Sequence, residues 1–210
     1  MSEVKVGRLV MGIAQTNGYF LYREGSPDCI FVDPPDQGAT IYEKLKSNGL
    51  NVAGIILTHA HFDHIWGAQE LRAKSGAKIY AWEEEEELCS DSVLNVSADV
   101  GRACTIKPNT YLKDGEEVTI AGITLKLIGT PGHTKGSCCF YVEEAGILIS
   151  GDTLFAESVG RTDLPTGSMS TLVRSIQDKL MCLPEDTRVY PGHGPSTTIG
   201  YEKENNPFIQ

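Results

Sequence analysis

All five histidines of this chain stand within seven residues of an apolar run that reads as a β-strand, and that placement restricts what the chain can become. His59, His61 and His64 lie in Thr58-His-Ala-His-Phe-Asp-His64, after Ile55-Ile-Leu57. His133 lies in Gly129-Thr-Pro-Gly-His-Thr134, after the run 125–128, and His193 lies in Tyr190-Pro-Gly-His-Gly-Pro195, after Val189-Tyr190. Asp152 sits in the same way behind Ile147-Leu-Ile149, in Ser150-Gly-Asp-Thr153. One histidine in such a place is usually a satisfied core group or a solvated one. Five of them, three within six residues, require a common cause. Four strand ends that meet at one sheet edge bring these groups together, and Gly132, Gly151, Gly192 and Gly194 let the backbone bend tightly beside them.

The spacing suits metal chelation. His59 and His61 are two apart, so in an extended segment both face one way and can hold one ion. Asp63 and His64 follow where the chain turns towards a helix, in reach of a second ion. Imidazole and carboxylate together suit zinc, with iron or manganese as alternatives. Seven candidate ligands, His59, His61, Asp63, His64, His133, Asp152 and His193, exceed the four of a closed structural site. Shared between two ions, with Asp152 bridging, they leave room for an activated water, as in hydrolytic two-metal centres.

Strands are predicted over 5–10, 18–22, 29–32, 53–57, 78–81, 117–120, 124–128, 137–142, 147–150 and 187–190, and helices over 37–47, 64–75, 83–89 and 168–180. In the last helix Leu172, Ile176 and Leu180 form one apolar stripe, and Ser168 is its expected N-cap. The acidic run 83–87 reads as a helix start in solvent. Strand pairs with helices between them point to sheets covered by helices on their outer faces. No internal boundary or repeat stands out, so 1–210 is expected to form one domain.

Composition removes other classes. The net charge of −10 gives no long-range attraction to nucleic acid or anionic membrane. No apolar stretch approaches the ~20 residues of a membrane span, and the charged, alternating N-terminus is unlike a signal peptide. The six cysteines, at 29, 89, 104, 138, 139 and 182, include no C-x-x-C pair. They are expected to be reduced and mostly in the core, as in a cytoplasmic protein, with the adjacent Cys138 and Cys139 on opposite faces of a strand.

With His59-x-His61-x-Asp63-His64, His133, Asp152 and His193 in this order, the chain resembles the metallo-β-lactamase superfamily. Val32-Asp-Pro34, Thr130-Pro-Gly-His-Thr134, Ser150-Gly-Asp-Thr-Leu-Phe155, Gly160-Arg-Thr-Asp163, Pro191-Gly-His-Gly-Pro195 and Asn206-Pro-Phe208 resemble the short bacterial hydroxyacylglutathione hydrolases of the glyoxalase II type. The resemblance implies an α/β, four-layer αββα sandwich with two divalent ions at one edge. One ion would take His59, His61 and His133, the other Asp63, His64 and His193, and Asp152 would bridge. It further implies hydrolysis of a thioester such as S-lactoylglutathione by a hydroxide between the ions, with Asp63 as the catalytic carboxylate. Arg161 would lie near a glutathione moiety, and Asp33 would support the ligands from behind. With 17 residues after His193, the given sequence is expected to lack the helical C-terminal domain of longer glyoxalase II enzymes. A mononuclear-iron persulfide dioxygenase, which shares Gly160-Arg-Thr-Asp163, and a lactonase or other ester hydrolase remain as alternatives. The oligomeric state is left open.

Overall fold

The computed structural model describes residues 2–209. Its first sheet contains, in spatial order, β1 (Val4–Met11), β2 (Thr16–Arg23), β3 (Asp28–Val32), β4 (Asn51–Ile56), β5 (Lys78–Trp82) and β6 (Thr110–Leu112). β1, β2 and β3 pair antiparallel, and β3 to β6 pair parallel. The second half supplies β7 (Glu117–Ile120), β8 (Ile123–Gly129), β9 (Cys138–Val142), β10 (Ile147–Gly151), a small ribbon β11 (Leu154–Phe155) with β12 (Ser158–Val159), then β13 (Arg188–Pro191) and β14 (Thr197–Thr198). The second sheet has the order β14-β13-β10-β9-β8-β7, in which only β10 and β13 pair parallel.

Strand alternation builds three apolar layers. Val32 and Ile56 point between the sheets, where they meet Leu125, Leu127, Phe140 and Ile149. Their neighbours Phe31 and Ile55 point the other way, against Ile41 and Leu45 of α1 (Gly38–Ser47) and Leu71 of a second helix. On the far side of the second sheet, Leu148 and Val189 pack against Leu172, Ile176, Leu180 and Ile199. The result is the four-layer αββα sandwich. Cys138 faces the layer between the sheets and Cys139 the outer layer, as a period of two requires. All six cysteines are free; four are buried, Cys104 is half-buried and Cys182 is exposed.

The helices depart from the sequence expectation in three places. The segment 64–75 is not one helix but α2 (Phe62–Ile65) and α3 (Ala68–Ser75). The break falls at Gly67, whose N–H donates to Pro34 O and whose added Cβ would lie 3.1 Å from that oxygen. The segment 83–89 opens as a 3-10 turn, Glu83–Glu85, before α4 (Glu86–Ser90), and Glu85 is buried rather than in solvent. The helix 168–180 begins as α5 (Met169–Ser175), with the Ser168 hydroxyl accepting from Thr171 N–H, and continues as a π-helical turn through Ile176–Leu180. A further helix, α6 (Ile199–Asn205), and the short strand β6 had no counterpart in the expected elements. Among the described residues no helix is long and apolar enough to cross a membrane.

Candidate metal centre

Every candidate ligand follows the C-terminal end of a strand at one edge of the sandwich. His59 and His61 come after β4, His133 after β8, Asp152 after β10 and His193 after β13. Asp33 comes after β3, and Thr16 opens the antiparallel β2, which brings it to the same edge. Two glycines make the convergence possible. Gly151 has φ of 48°, and an added Cβ would lie 2.3 Å from Thr58 Oγ1. At Gly192 an added Cβ would lie 2.2 Å from Asp152 Oδ1.

The side chains form three overlapping groups. His59, His61 and His133 offer nitrogens within 4.8 Å of one another, and so do the ligand atoms of Asp63, His64 and His193; Asp33 with His59 and His64 makes the third, behind the other two. Asp152 lies between the first two: its Oδ2 is 3.6 Å from His133 Nε2 and 3.4 Å from His193 Nε2, and its Oδ1 is 3.4 Å from His64 Nε2. His193 Nε2 is also 3.3 Å from Asp63 Oδ2.

The hydrogen bonds behind the rings fix which nitrogen carries a proton. His133 Nδ1–H donates to Arg161 O at 2.7 Å. His64 Nδ1–H donates to Asp33 Oδ2 at 2.9 Å. The Thr58 hydroxyl spends its one proton on Asp33 Oδ2 at 2.6 Å, so at 3.1 Å it accepts from His59 Nδ1–H. In neutral rings the Nε2 lone pairs of His59, His64 and His133 therefore all point inwards. His133 Nε2 lies 3.2 Å from His59 Nε2, so two acceptors face each other, and it lies 2.9 Å from His61 Nδ1. His61 Nε2, His64 Nε2 and Asp152 Oδ1 are buried without a hydrogen-bond partner. The facing lone pairs of His59 and His133 and the unpartnered His61 Nε2 carry a desolvation cost that a cation removes. The donor set fits divalent metal on this ground.

Electrostatics agrees. Burial, followed by the neighbouring imidazoles, holds His59 well below the usual histidine range, and burial with His133 brings His61 down to about 3. Burial alone would raise Asp63 and Asp152, but His64 and His193 bring Asp63 down to about 2 and hold Asp152 well below the carboxylate range. Burial opposes charge on His193 too, yet Asp152 and Asp63 lift it to about 9. The two carboxylates thus form a buried well for positive charge.

Asp33, which accepts from His64 Nδ1–H, also accepts from Thr58 N–H at 2.7 Å. The Arg161 side chain is turned away from the cluster into a two-pronged, exposed ion pair with Asp163, at 2.7 Å for each bond. Its contribution to the cluster is the carbonyl that orients His133. Three contributors escaped the sequence: Thr16, whose hydroxyl donates to Asp63 Oδ2 at 2.6 Å, Thr58, and the buried Glu85. The only sequence signal for Thr58 was its adjacency to His59.

Residues 12–193 match the description Metallo-beta-lactamase superfamily. The chain belongs to that superfamily. Within it, the Bacillus subtilis protein named "Probable metallo-hydrolase YqgX" is 41% identical over 208 residues, 98% of each chain. "Hydroxyacylglutathione hydrolase GloC" of Haemophilus influenzae is 32% identical over 181 residues, 85% of each chain. Three solved superfamily-like structures superpose closely. BLEG-1, described as a B3 metallo-beta-lactamase, has a TM-score of 0.93 at 38% identity and covers 98% of this chain and 100% of its own. TTHA1623 in a di-iron-bound form has a TM-score of 0.85 at 34% identity, with 96% and 99% covered. ETHE1 from Myxococcus xanthus has a TM-score of 0.80 at 26% identity, with 97% and 83% covered.

Proposed function

We propose that this superfamily member is a metal-dependent hydrolase that cleaves a small thioester, of which S-lactoylglutathione is the leading example. The observation that carries the reading is the set of inward lone pairs on His59, His64 and His133, with Asp152 between the two ligand groups. His59, His61 and His133 would hold one divalent ion, Asp63, His64 and His193 a second, and Asp152 both. Zinc suits this donor set, and iron does as well, given the di-iron form of TTHA1623. Bound there, the ions would supply Lewis acidity, which lowers the pKa of water and offsets charge growing on a carbonyl oxygen.

The chain's own residues complete the chemistry. Thr16 fixes the Asp63 carboxylate by a 2.6 Å hydrogen bond. Held at about 2, Asp63 is ionised at neutral pH, so it accepts a hydrogen bond from the attacking water and orients it. A carboxylate this acidic retains a proton poorly, which makes its part orientation rather than proton storage. A thiolate leaves without a strong general acid. A cleft of about 500 Å³ is lined by Ala156, Glu157, Arg188, Tyr190, Ser196 and Tyr201, none of them a candidate ligand, though Tyr190 and Ser196 flank the segment that carries His193 in sequence. The name of the GloC relative favours a glutathione thiol.

The test is turnover of the metal-loaded protein on S-lactoylglutathione, other thioesters, a lactone, a β-lactam and glutathione persulfide, side by side. Thioester hydrolysis that collapses in His61→Ala supports the reading. Oxygen uptake on the persulfide without thioester cleavage would favour the single-iron alternative. Preference for the β-lactam would side with the likeness to BLEG-1.

A further inference from the structure

Four of the five acidic side chains in residues 83–87 face solvent, but Glu85 is only 1% exposed. Its carboxylate lies between the two loops that carry the three-histidine group. Oε1 accepts from Ala60 N–H at 2.8 Å, and Ala60 separates His59 from His61. Oε1 and Oε2 accept from the Thr134 hydroxyl at 3.1 and 3.0 Å, and Thr134 follows His133. Oε2 also accepts from Gly136 N–H at 3.0 Å. The nearby Lys135 pairs with Glu84 at 3.5 Å, so the buried charge rests on these donors and on no ion pair among the described residues. An added Cβ on Gly136 would lie 2.3 Å from Glu85 N, so the loop closes directly onto the turn that bears the carboxylate. Burying a carboxylate without a counter-ion is costly, and burial pushes Glu85 up to about 7 against the pull of its hydrogen bonds. Stability alone gives no reason for such a group here.

We infer that Glu85 is a positioning residue of the metal centre, which sets the distance between the His59–His61 loop and the His133 loop and so tunes the three-histidine site alone. The second ligand group has other supports: Asp33 on His64, Thr16 on Asp63, and Gly192 N–H on Gly151 O. A separate backbone bond, Cys138 N–H to Thr58 O at 2.9 Å, ties β9 to the His59 loop whether or not Glu85 is present. Glu85→Gln keeps the shape but sets an amide N–H against a donor, which opens the gap between the loops.

The inference rests on the metal-centre reading but not on the identity of the substrate, so its test omits substrate. Zn²⁺ affinity is measured by competition with a chromophoric chelator in two backgrounds, His193→Ala, which leaves the three-histidine group, and His61→Ala, which leaves the other. The expected result is that Glu85→Gln weakens Zn²⁺ at least tenfold in the first background and less than twofold in the second. Thr134→Val, which removes one donor and leaves both loops whole, should repeat the selectivity at about threefold, and it serves if Glu85→Gln fails to fold. Equal weakening in both backgrounds would reduce Glu85 to a general structural part and overturn the inference, as would no change in either. Failure of the His193→Ala protein to take up Zn²⁺ at all would sink the metal-centre reading together with this one.

Discussion

Replacing Asp33 by Asn isolates the support behind the ligands. Asp33 is 2% exposed and has φ of 50°, a conformation that Asn tolerates, so size and backbone are kept. Its Oδ1 accepts from Thr58 N–H at 2.7 Å, and its Oδ2 accepts from the Thr58 hydroxyl at 2.6 Å and from His64 Nδ1 at 2.9 Å. If the Asn carbonyl stays on Thr58 N–H, the new amide N–H₂ replaces Oδ2. The Thr58 hydroxyl can rotate and accept from it. His64 Nδ1–H cannot, and it loses a bond to a charged acceptor, a loss of about 1.5–3 kcal/mol. At about 1.4 kcal/mol per tenfold, metal affinity at the Asp63–His64–His193 group should fall about 10- to 100-fold. Chelator competition with Zn²⁺ reads the affinity, and nitrogen NMR of His64 reads the tautomer, which should cease to be fixed with the proton on Nδ1. Affinity within twofold of wild type, with the His64 proton still on Nδ1, would refute the argument from ring orientation.

Thr16→Val removes the hydroxyl on Asp63 at little change in volume, and kcat/KM on the best thioester should fall about tenfold with the fold intact by circular dichroism; unchanged kinetics would show that Asp63 needs no such anchor. Between pH 6.5 and 9 the metal-free protein should lose thermal stability as pH rises. His193 is lifted from 6.5 to about 9 in the folded state, so its contribution is complete below 6.5 and disappears as pH passes 9, and His64 shifts in the same direction. The Zn²⁺-loaded protein should show the opposite slope, because the ligands bind metal deprotonated; parallel pH profiles with and without chelator would contradict this. Gly132→Ala would place a Cβ 2.3 Å from Leu172 N at a φ of 137°, and should cost about 3 kcal/mol, seen as a drop of roughly 6–12 °C in Tm. A drop under 2 °C would mean that α5 moves away freely.

What the sequence revealed of the centre was the part that lies on strand ends. The expected strands 53–57, 124–128, 147–150 and 187–190 correspond to Asn51–Ile56, Ile123–Gly129, Ile147–Gly151 and Arg188–Pro191, and each ends one to four residues before its candidate ligand. Apolar runs followed within a few residues by a histidine or aspartate are a local signal. The supports were hidden because they depend on distant partners. Thr16 meets Asp63 across 47 positions, and Glu85 meets Gly136 across 51. Nothing local separates Glu85 from its four acidic neighbours, which the run 83–87 presents as one solvated face. The break between α2 and α3 depends on Pro34 O, from the loop after β3, and no periodicity within 64–75 records it. α6 is seven residues long and is fastened by Glu202, which accepts from Glu157 N–H, the Thr197 hydroxyl and Asn206 Nδ2. So short a helix stands on tertiary hydrogen bonds, not on an apolar stripe.

The central claim is that two clusters of side chains sharing Asp152 each hold a divalent cation. Equilibrium dialysis of the full-length protein against buffered Zn²⁺, followed by metal quantitation, tests it most directly. The account predicts two ions per chain for the wild type, one for His193→Ala and one for His61→Ala. Wild-type protein that folds normally yet retains no tightly held zinc, iron or manganese would contradict it.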